Sequence, residues 1–189
     1  MSPNTAKIFY VIGASGSGKD SLIQYARQHL PETTDVAFAH RYITRPADAG
    51  GENHVELNEA EFETRLKHHC FSMHWHSHGL LYGIGHEIED WVNRGINVVV
   101  NGSREYFAKA SWDFPQLVPV LIRVDTSVLE ERLRARGRES EADIKRRLKR
   151  AEELDGKIHH DNLIVINNDG ALEDAGNELL SVLCDTKGV

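Results

Sequence analysis

The chain has 189 residues, 40% hydrophobic and 27% charged, with a formal net charge of -7; that length buries one sizeable core and is short for two, so a single domain (1–189) is expected. The acidic balance excludes general affinity for nucleic acid or anionic membranes, and any anionic substrate has to be held by local basic residues. The two distant cysteines, Cys70 and Cys184, exclude a disulfide framework and a zinc ribbon, while the lack of a signal-peptide pattern and of a bilayer-spanning run points to the cytoplasm.

In chain order, Ile8 to Ile12 is apolar without alternation, the pattern of a strand buried on both faces of a parallel sheet. Ser21 to Leu30 reads as a helix with Leu22, Ile23 and Ala26 inward, and Val36 to Ala39 as a short strand. From Arg45 to Asn53 the text turns to Pro, Ala, Asp and Gly, which is loop chemistry and marks the start of a substrate-facing insertion. Asn58 and Glu61 resemble a capping box before Phe62 and Leu66, Phe71 to His78 alternates as an extended segment, and Gly79 and Gly83 bracket Leu80 to Tyr82. A helix over Glu87 to Arg94 stops at Gly95.

Ile96 to Val100 and Val118 to Val124 are further buried strands, with Ser103 placed to cap the helix after the first. Ser127 and Glu130 form a second capping-box pattern ahead of Leu129 and Leu133, with Gly137 as the stop. A helix follows over Glu141 to Leu154, then a strand over Leu163 to Ile166 and a helix lined by Leu172, Ala175, Leu179 and Leu183. Strands alternating with helices predict an α/β fold: a P-loop NTPase-type parallel sheet flanked by helices. The core is expected over about 1–40, 95–130 and 160–189, the insertion over about 41–94 and an arginine-rich lid over about 131–158.

The segment Gly13-Ala14-Ser15-Gly16-Ser17-Gly18-Lys19 lies between the first strand and the first helix, the context that a phosphate-binding loop requires. Backbone N–H groups of such a loop point at phosphate oxygens, the helix N-terminus adds positive potential, and Lys19 supplies a mobile charge. The pattern predicts ATP as donor. Asp20 stands where Ser or Thr normally contacts Mg²⁺; either its carboxylate binds the metal, directly or through water, or Ser21 takes the role. Asp20 also reads simply as a first-turn acid favoured by the helix dipole.

Arg132, Arg134, Arg136, Arg138, Lys145, Arg146, Arg147, Lys149 and Arg150 crowd one stretch of an acidic chain. Phosphoryl transfer needs positive groups on the transferring oxygens, and a mobile lid carrying Arg136, Arg138 and Arg147 would close over ATP. The bland counterpart is a solvated helix pair with ion pairs such as Glu130 with Arg134. Toward the acceptor, Arg41, Arg45 and Tyr82 suit a second anionic group. Alternation sets His74, His76 and His78 on one side of a strand, where a polar face competes with a metal site that no acidic ligand pattern supports.

These residues resemble the guanylate-kinase-like P-loop kinases over almost the whole chain. The resemblance rests on G-A-S-G-S-G-K-D-S-L from Gly13, H-R-Y-I-T-R from His40, G-E-N-H from Gly51, Y-G-I-G from Tyr82, V-N-G-S-R from Val100, R-G-R-E from Arg136 and N-N-D-G from Asn167. Within the family it is similar to the branch that acts on ribose 1,5-bisphosphate in phosphonate catabolism, where Asp20 after the lysine belongs to the loop's own form. The resemblance implies transfer from ATP to ribose 1,5-bisphosphate, giving ADP and 5-phosphoribosyl 1-diphosphate.

It also implies that Arg45, Tyr82 and Arg41 hold the acceptor and that Asn101 orients water or a ribose hydroxyl, with His40, His54 and His76 placed nearby. The guanine-reading positions of true guanylate kinases fall on Met73 and Ile84, and a second phosphate arginine on Ala47 or Asp48, so guanylate should be a poor substrate. Two other readings stay open: another nucleoside-monophosphate or small-molecule kinase on this fold, and a non-catalytic guanylate-kinase-like binding module, against which Gly18 and Lys19 argue. The expected partner is a small sugar bisphosphate, with no nucleic acid or membrane, and the residues do not choose between a monomer and a homodimer.

Overall fold

The computed structural model describes residues 6–137 and 139–185. Its strands are β1 (Ile8–Gly13), β2 (Val36–Phe38), β3 (Arg41–Ile43), β4 (Val55–Glu56), β5 (Phe71–Ser77), β6 (Leu80–Gly85), β7 (Asn97–Asn101), β8 (Leu117–Arg123) and β9 (Ile164–Asn167). Its helices are α1 (Lys19–His29), α2 (Glu59–Lys67), α3 (Glu87–Asn93), α4 (Phe107–Asp113), α5 (Thr126–Arg136), α6 (Glu141–Asp155) and α7 (Leu172–Cys184), with a 3₁₀ turn at Ala47–Ala49. The larger sheet runs β2-β7-β1-β8-β9 and a second sheet runs β4-β3-β6-β5. A mostly parallel sheet flanked by helices is the α/β class expected from the alternation of elements. Two compact units divide the chain: residues 6–9, 35–101 and 109–117 form one, and residues 10–34, 102–108, 118–137 and 139–185 the other.

In the first unit β2 pairs parallel with β7, from Val36 opposite Asn97 to Phe38 opposite Val99. Val98, Val99 and Val100 are buried, as a non-alternating apolar strand should be. The second sheet is an antiparallel meander around β6. Residues directly opposite across strands share a face, so the pairs Arg41 with Ile84, Ile43 with Tyr82, Met73 with Ile84 and Trp75 with Tyr82 put all six on one side. The other side packs on α2, where Leu57, Phe62 and Phe71 are buried with Tyr42, Leu66 and Leu81 against them. Asn58 starts that helix as expected, its Oδ1 accepting from the Glu61 N–H at 2.8 Å.

The β5–β6 hairpin turns on His78 and Gly79, with φ 51° and 76°, the paired positive values of a type I′ turn. Gly83 has a packing reason, because a β-carbon there would lie 2.6 Å from the Phe71 ring. The residue after Tyr82 has to be bare. Strand β3, only three residues long and running into loop, is an element that periodicity does not reveal.

In the second unit β8 pairs parallel with β9 from Val120 opposite Ile164 to Arg123 opposite Asn167. Ala14, Leu129, Leu133, Ile144 and Ala151 form a buried cluster with Val124 and Leu148 against it, so α5 and α6 pack on the loop after β1. Three local expectations change here. Helix α1 begins at Lys19, two residues before the expected Ser21, because left-handed Gly18 (φ 83°) ends the loop and its carbonyl already accepts from Leu22 at 3.0 Å. Helix α5 is capped from Asp125, whose carbonyl accepts from Leu129 at 2.9 Å, so Ser127 lies inside the helix and its box does not form.

The capping box belongs instead to α6, where Ser140 Oγ accepts from Asp143 N at 3.2 Å and Asp143 Oδ2 from Ser140 N at 3.3 Å. Ser103 lies too early to start the next helix, and its backbone instead bonds Tyr10, whose phenol donates to Ser103 O at 3.1 Å and accepts from Ser103 N at 2.9 Å. Helix α4 starts later, at Phe107.

Candidate active site

The second unit holds the run Gly13 to Ser21. Ala14 is buried in the α5–α6 cluster, Ser15 is exposed, and the loop closes on itself where Ser17 N donates to Ala14 O at 3.0 Å. A β-carbon on Gly16 would meet Leu129 at 3.0 Å, so α5 supports the loop from outside. Buried Asn168, after β9, donates from Nδ2 to Ser17 O at 2.7 Å, and a β-carbon on Gly18 would sit 2.5 Å from that nitrogen. Such a cradle, closed by glycines and a buried amide, suits backbone-to-phosphate contact. Lys19 Nζ donates to Asp20 Oδ1 at 3.3 Å in the first turn of α1, with 43% of the Asp20 side chain exposed. Asp20 and exposed Ser21 follow each other in that turn, and both carry hard oxygen atoms of the kind that Mg²⁺ takes.

The arginine-rich stretch divides into committed and available groups. Arg134 bonds Glu130 and Glu141, Arg146 pairs with Asp143, and Arg150 Nη2 donates to Glu105 Oε1 at 2.8 Å, so the solvated-ion-pair reading fits these three. The Arg134 guanidinium is held above its ordinary range, first by its hydrogen bond to Glu130. Arg147 differs: Nη1 donates to Ser15 Oγ at 3.0 Å, and Nη2 lies 3.0 Å from Glu139 Oε1. This lid candidate thus touches the loop itself. Arg136 is exposed at the end of α5, and Arg138 lies outside the described residues.

The first unit gathers Arg41, Arg45, Asn101 and Glu52, a residue that lies in the G-E-N-H motif but was given no role from the sequence. Arg41 Nε donates to Glu52 Oε2 at 2.7 Å, and Arg41 Nη2 bonds Oε1. Asn101 Nδ2 reaches Oε2 at 3.4 Å, and Arg45 Nη2 lies 3.6 Å from Oε1. Buried His54 meets Arg45 at both ends, with Nε2 2.9 Å from the Arg45 carbonyl oxygen and Nδ1 3.3 Å from Nη2. Arg45 Nη2 also donates to Gly50 O at 3.3 Å. The Arg41 guanidinium lies 5.0 Å from the Tyr82 ring centre, and Trp75 stacks parallel on Tyr82 at 5.6 Å. Arg41, Arg45, Tyr82 and Asn101 are therefore brought together, and His40, through Asn53 at 3.1 Å, borders them.

Met73 and Ile84 pair directly and are fully buried, so neither position offers a polar group for reading a base edge. Ala47 opens the 3₁₀ turn with its N–H on Glu56 Oε2 at 2.9 Å. His74 and His76 are exposed on β5, opposite Gly83 and Leu81 and so on the other face from Tyr82, while exposed His78 lies in the turn beyond the strand; among the described residues no group of three or more His, Cys, Asp or Glu could hold a metal ion. Cys70 and Cys184 are free and exposed, and no helix among the described residues is long and apolar enough to cross a membrane. Residue-type reasoning also missed Asn168 and Glu139; only the N-N-D-G and R-G-R-E motifs marked their neighbourhoods.

A model of the guanylate kinase family matches residues 5–186. The protein named ribose 1,5-bisphosphate phosphokinase PhnN of Thiobacillus denitrificans is 53% identical over 180 residues, which cover 95% of this chain and 93% of that protein. Its namesake of Psychromonas ingrahamii is 51% identical over 181 residues, 96% and 91% of the two chains. Among solved structures, guanylate kinase from Anaplasma phagocytophilum superposes with a TM-score of 0.70 at 18% identity, over 94% of this chain and 85% of that one. That last likeness is one of fold.

Proposed function

This chain belongs to the guanylate kinase family, and from that premise we propose that it is a P-loop kinase transferring the γ-phosphoryl group of ATP to ribose 1,5-bisphosphate. The observation that carries the reading is identity of about half with kinases of that name across nearly the full length of both partners. The products are ADP and 5-phosphoribosyl 1-diphosphate, and the role is in cytoplasmic phosphonate degradation. Buried, apolar Met73 and Ile84 support it, since a base edge placed there would leave its polar groups unpaired.

In the reaction an acceptor phosphate oxygen forms a bond to the γ-phosphorus as the bond from that phosphorus to the bridging oxygen of ADP breaks. With a second pKa of about 6 the acceptor phosphate is already ionised near neutrality, so no general base is required. Catalysis then rests on positioning and charge. Backbone N–H groups of residues 13–18 and the Lys19 ammonium hold the donor phosphates, and Arg147, anchored by Glu139, meets charge on the transferring group, a task that Arg136 and Arg138 share. Asp20 and Ser21 would hold Mg²⁺, which supplies further charge neutralisation. Arg41, Arg45 and Tyr82 hold the acceptor, with Asn101 on a hydroxyl or a water.

The test is mass spectrometry of products from purified protein with Mg·ATP and ribose 1,5-bisphosphate, beside GMP, AMP and gluconate. Production of 5-phosphoribosyl 1-diphosphate is expected to dominate. Preference for GMP by orders of magnitude would sink the reading, and ATP hydrolysis with no acceptor would make the chain an NTPase.

A further inference from the structure

Glu52 is one of 29 acidic residues and nothing in its type singles it out, yet its side chain is only 11% exposed. A carboxylate withdrawn from water persists only where donors surround it. Here the donors are the acceptor groups themselves: Arg41 grips both oxygens, Asn101 reaches one, and Arg45 lies 3.6 Å from the other. Two guanidiniums gathered on one carboxylate carry a net single positive charge, whereas without it they would repel across the cluster.

Arg45 shows that this arrangement is imposed. Its Nη2 end is engaged by Glu52, Gly50 and His54, while its Nε is buried with no hydrogen-bond partner. A buried unsatisfied donor is destabilising, because it has lost its water and gained no partner. Such an orientation survives only where the contacts at the far end of the fork outweigh that cost, and 27% of the side chain stays exposed for a ligand.

We propose that Glu52 is a positioning residue for the acceptor: its carboxylate holds Arg41 and Arg45 together in the orientation that receives a phosphate group. The proposal rests on the reading of this chain as a sugar-bisphosphate kinase, and its test has one arm that does not. In the activity arm, Glu52→Gln keeps the shape and removes the charge. It should raise KM for ribose 1,5-bisphosphate about tenfold or more, with kcat lowered less than KM is raised. KM for ATP should stay within about twofold, and Glu52→Asp should recover part of the loss. Equal damage to both KM values, or to neither, would overturn the proposal.

In the second arm, phenylglyoxal modification is followed peptide by peptide with mass spectrometry and no substrate. Arg41 and Arg45 should react several-fold faster in Glu52→Gln than in the unaltered protein, at equal secondary structure by circular dichroism. Unchanged rates would overturn the proposal even if the activity data agreed. Should Glu52→Gln fail to fold, Glu52→Asp carries the labelling comparison, with an intermediate rate expected and an unaltered rate fatal. If the unaltered protein does not phosphorylate ribose 1,5-bisphosphate, the functional reading falls and the labelling arm decides the role of Glu52 on its own.

Discussion

The donor loop and the acceptor cluster are assembled in opposite ways. The loop is one continuous run of residues, yet its braces come from far along the chain: Asn168 reaches Ser17 across 151 positions and Arg147 reaches Ser15 across 132. The acceptor cluster draws on several elements, but its holding contacts are shorter in sequence, with 11 positions from Arg41 to Glu52, 9 from Arg45 to His54 and 49 from Asn101 to Glu52. A loop of fixed backbone needs glycines in register and outside support. A cluster of long charged side chains needs a counter-charge at its centre. The two halves should therefore fail differently when cut.

Lys19→Ala should give the largest effect, lowering turnover on the order of a hundredfold or more, the scale for losing one preorganised charge, with melting temperature unchanged. Near-normal turnover would remove the loop from the mechanism. Arg45→Ala should come next, raising KM for ribose 1,5-bisphosphate about thirtyfold or more while calorimetric affinity for ATP holds. Loss of ATP affinity in that variant would mean that the halves are not separable as drawn.

Asn168→Ala strips the donor from Ser17 O and should cost about 1–3 kcal/mol. At this chain length each kcal/mol lowers the melting midpoint by about 2–4 °C, and KM for ATP should rise with it. A midpoint and KM both unmoved would show that the loop needs no distant brace.

The smallest effects lie in the α6 cap, where Ser140→Ala should cost about 1 kcal/mol with KM for ribose 1,5-bisphosphate unaltered. Asp143 is held below its ordinary value of 3.8, first by the Ser140 hydroxyl, then by the Ser140 N–H and by Arg146. A depressed folded value means stabilisation present above the unfolded value and lost as pH falls through the folded one. The melting gap between the unaltered protein and Asp143→Asn should thus be open near neutrality and close in acid, and a gap that widens in acid would contradict the assignment.

The donor half was legible because its information is local: strand, glycines, lysine and helix come one after another, and Gly13 to Lys19 could be named from spacing alone. The buried strands and most helices could be read from periodicity. The braces were not legible, since nothing local ties Asn168 to Ser17 or Glu139 to Arg147. Arg41, Arg45 and Tyr82 were singled out one at a time by residue type and resemblance, whereas the G-E-N-H motif contains Glu52 without giving it a role, and only the fold shows that this acid is withdrawn from water. Ser127 and Ser103 misled for a related reason. A capping residue is recognised in sequence by its type and by the helix expected after it, but α5 already starts from Asp125, ahead of Ser127, and α4 starts only at Phe107, well after Ser103.

The column of Trp75, Tyr82 and Arg41 has an optical consequence. Indole emission responds to the electric field around the ring, and here the ring lies flat on a phenol that a guanidinium also touches. An anion settling on Arg41 would change that field within a few ångströms of the chromophore. The chain has two other tryptophans, Trp91 and Trp112. With both replaced by phenylalanine, Trp75 becomes an intrinsic gauge of acceptor occupancy, readable without ATP, label or turnover.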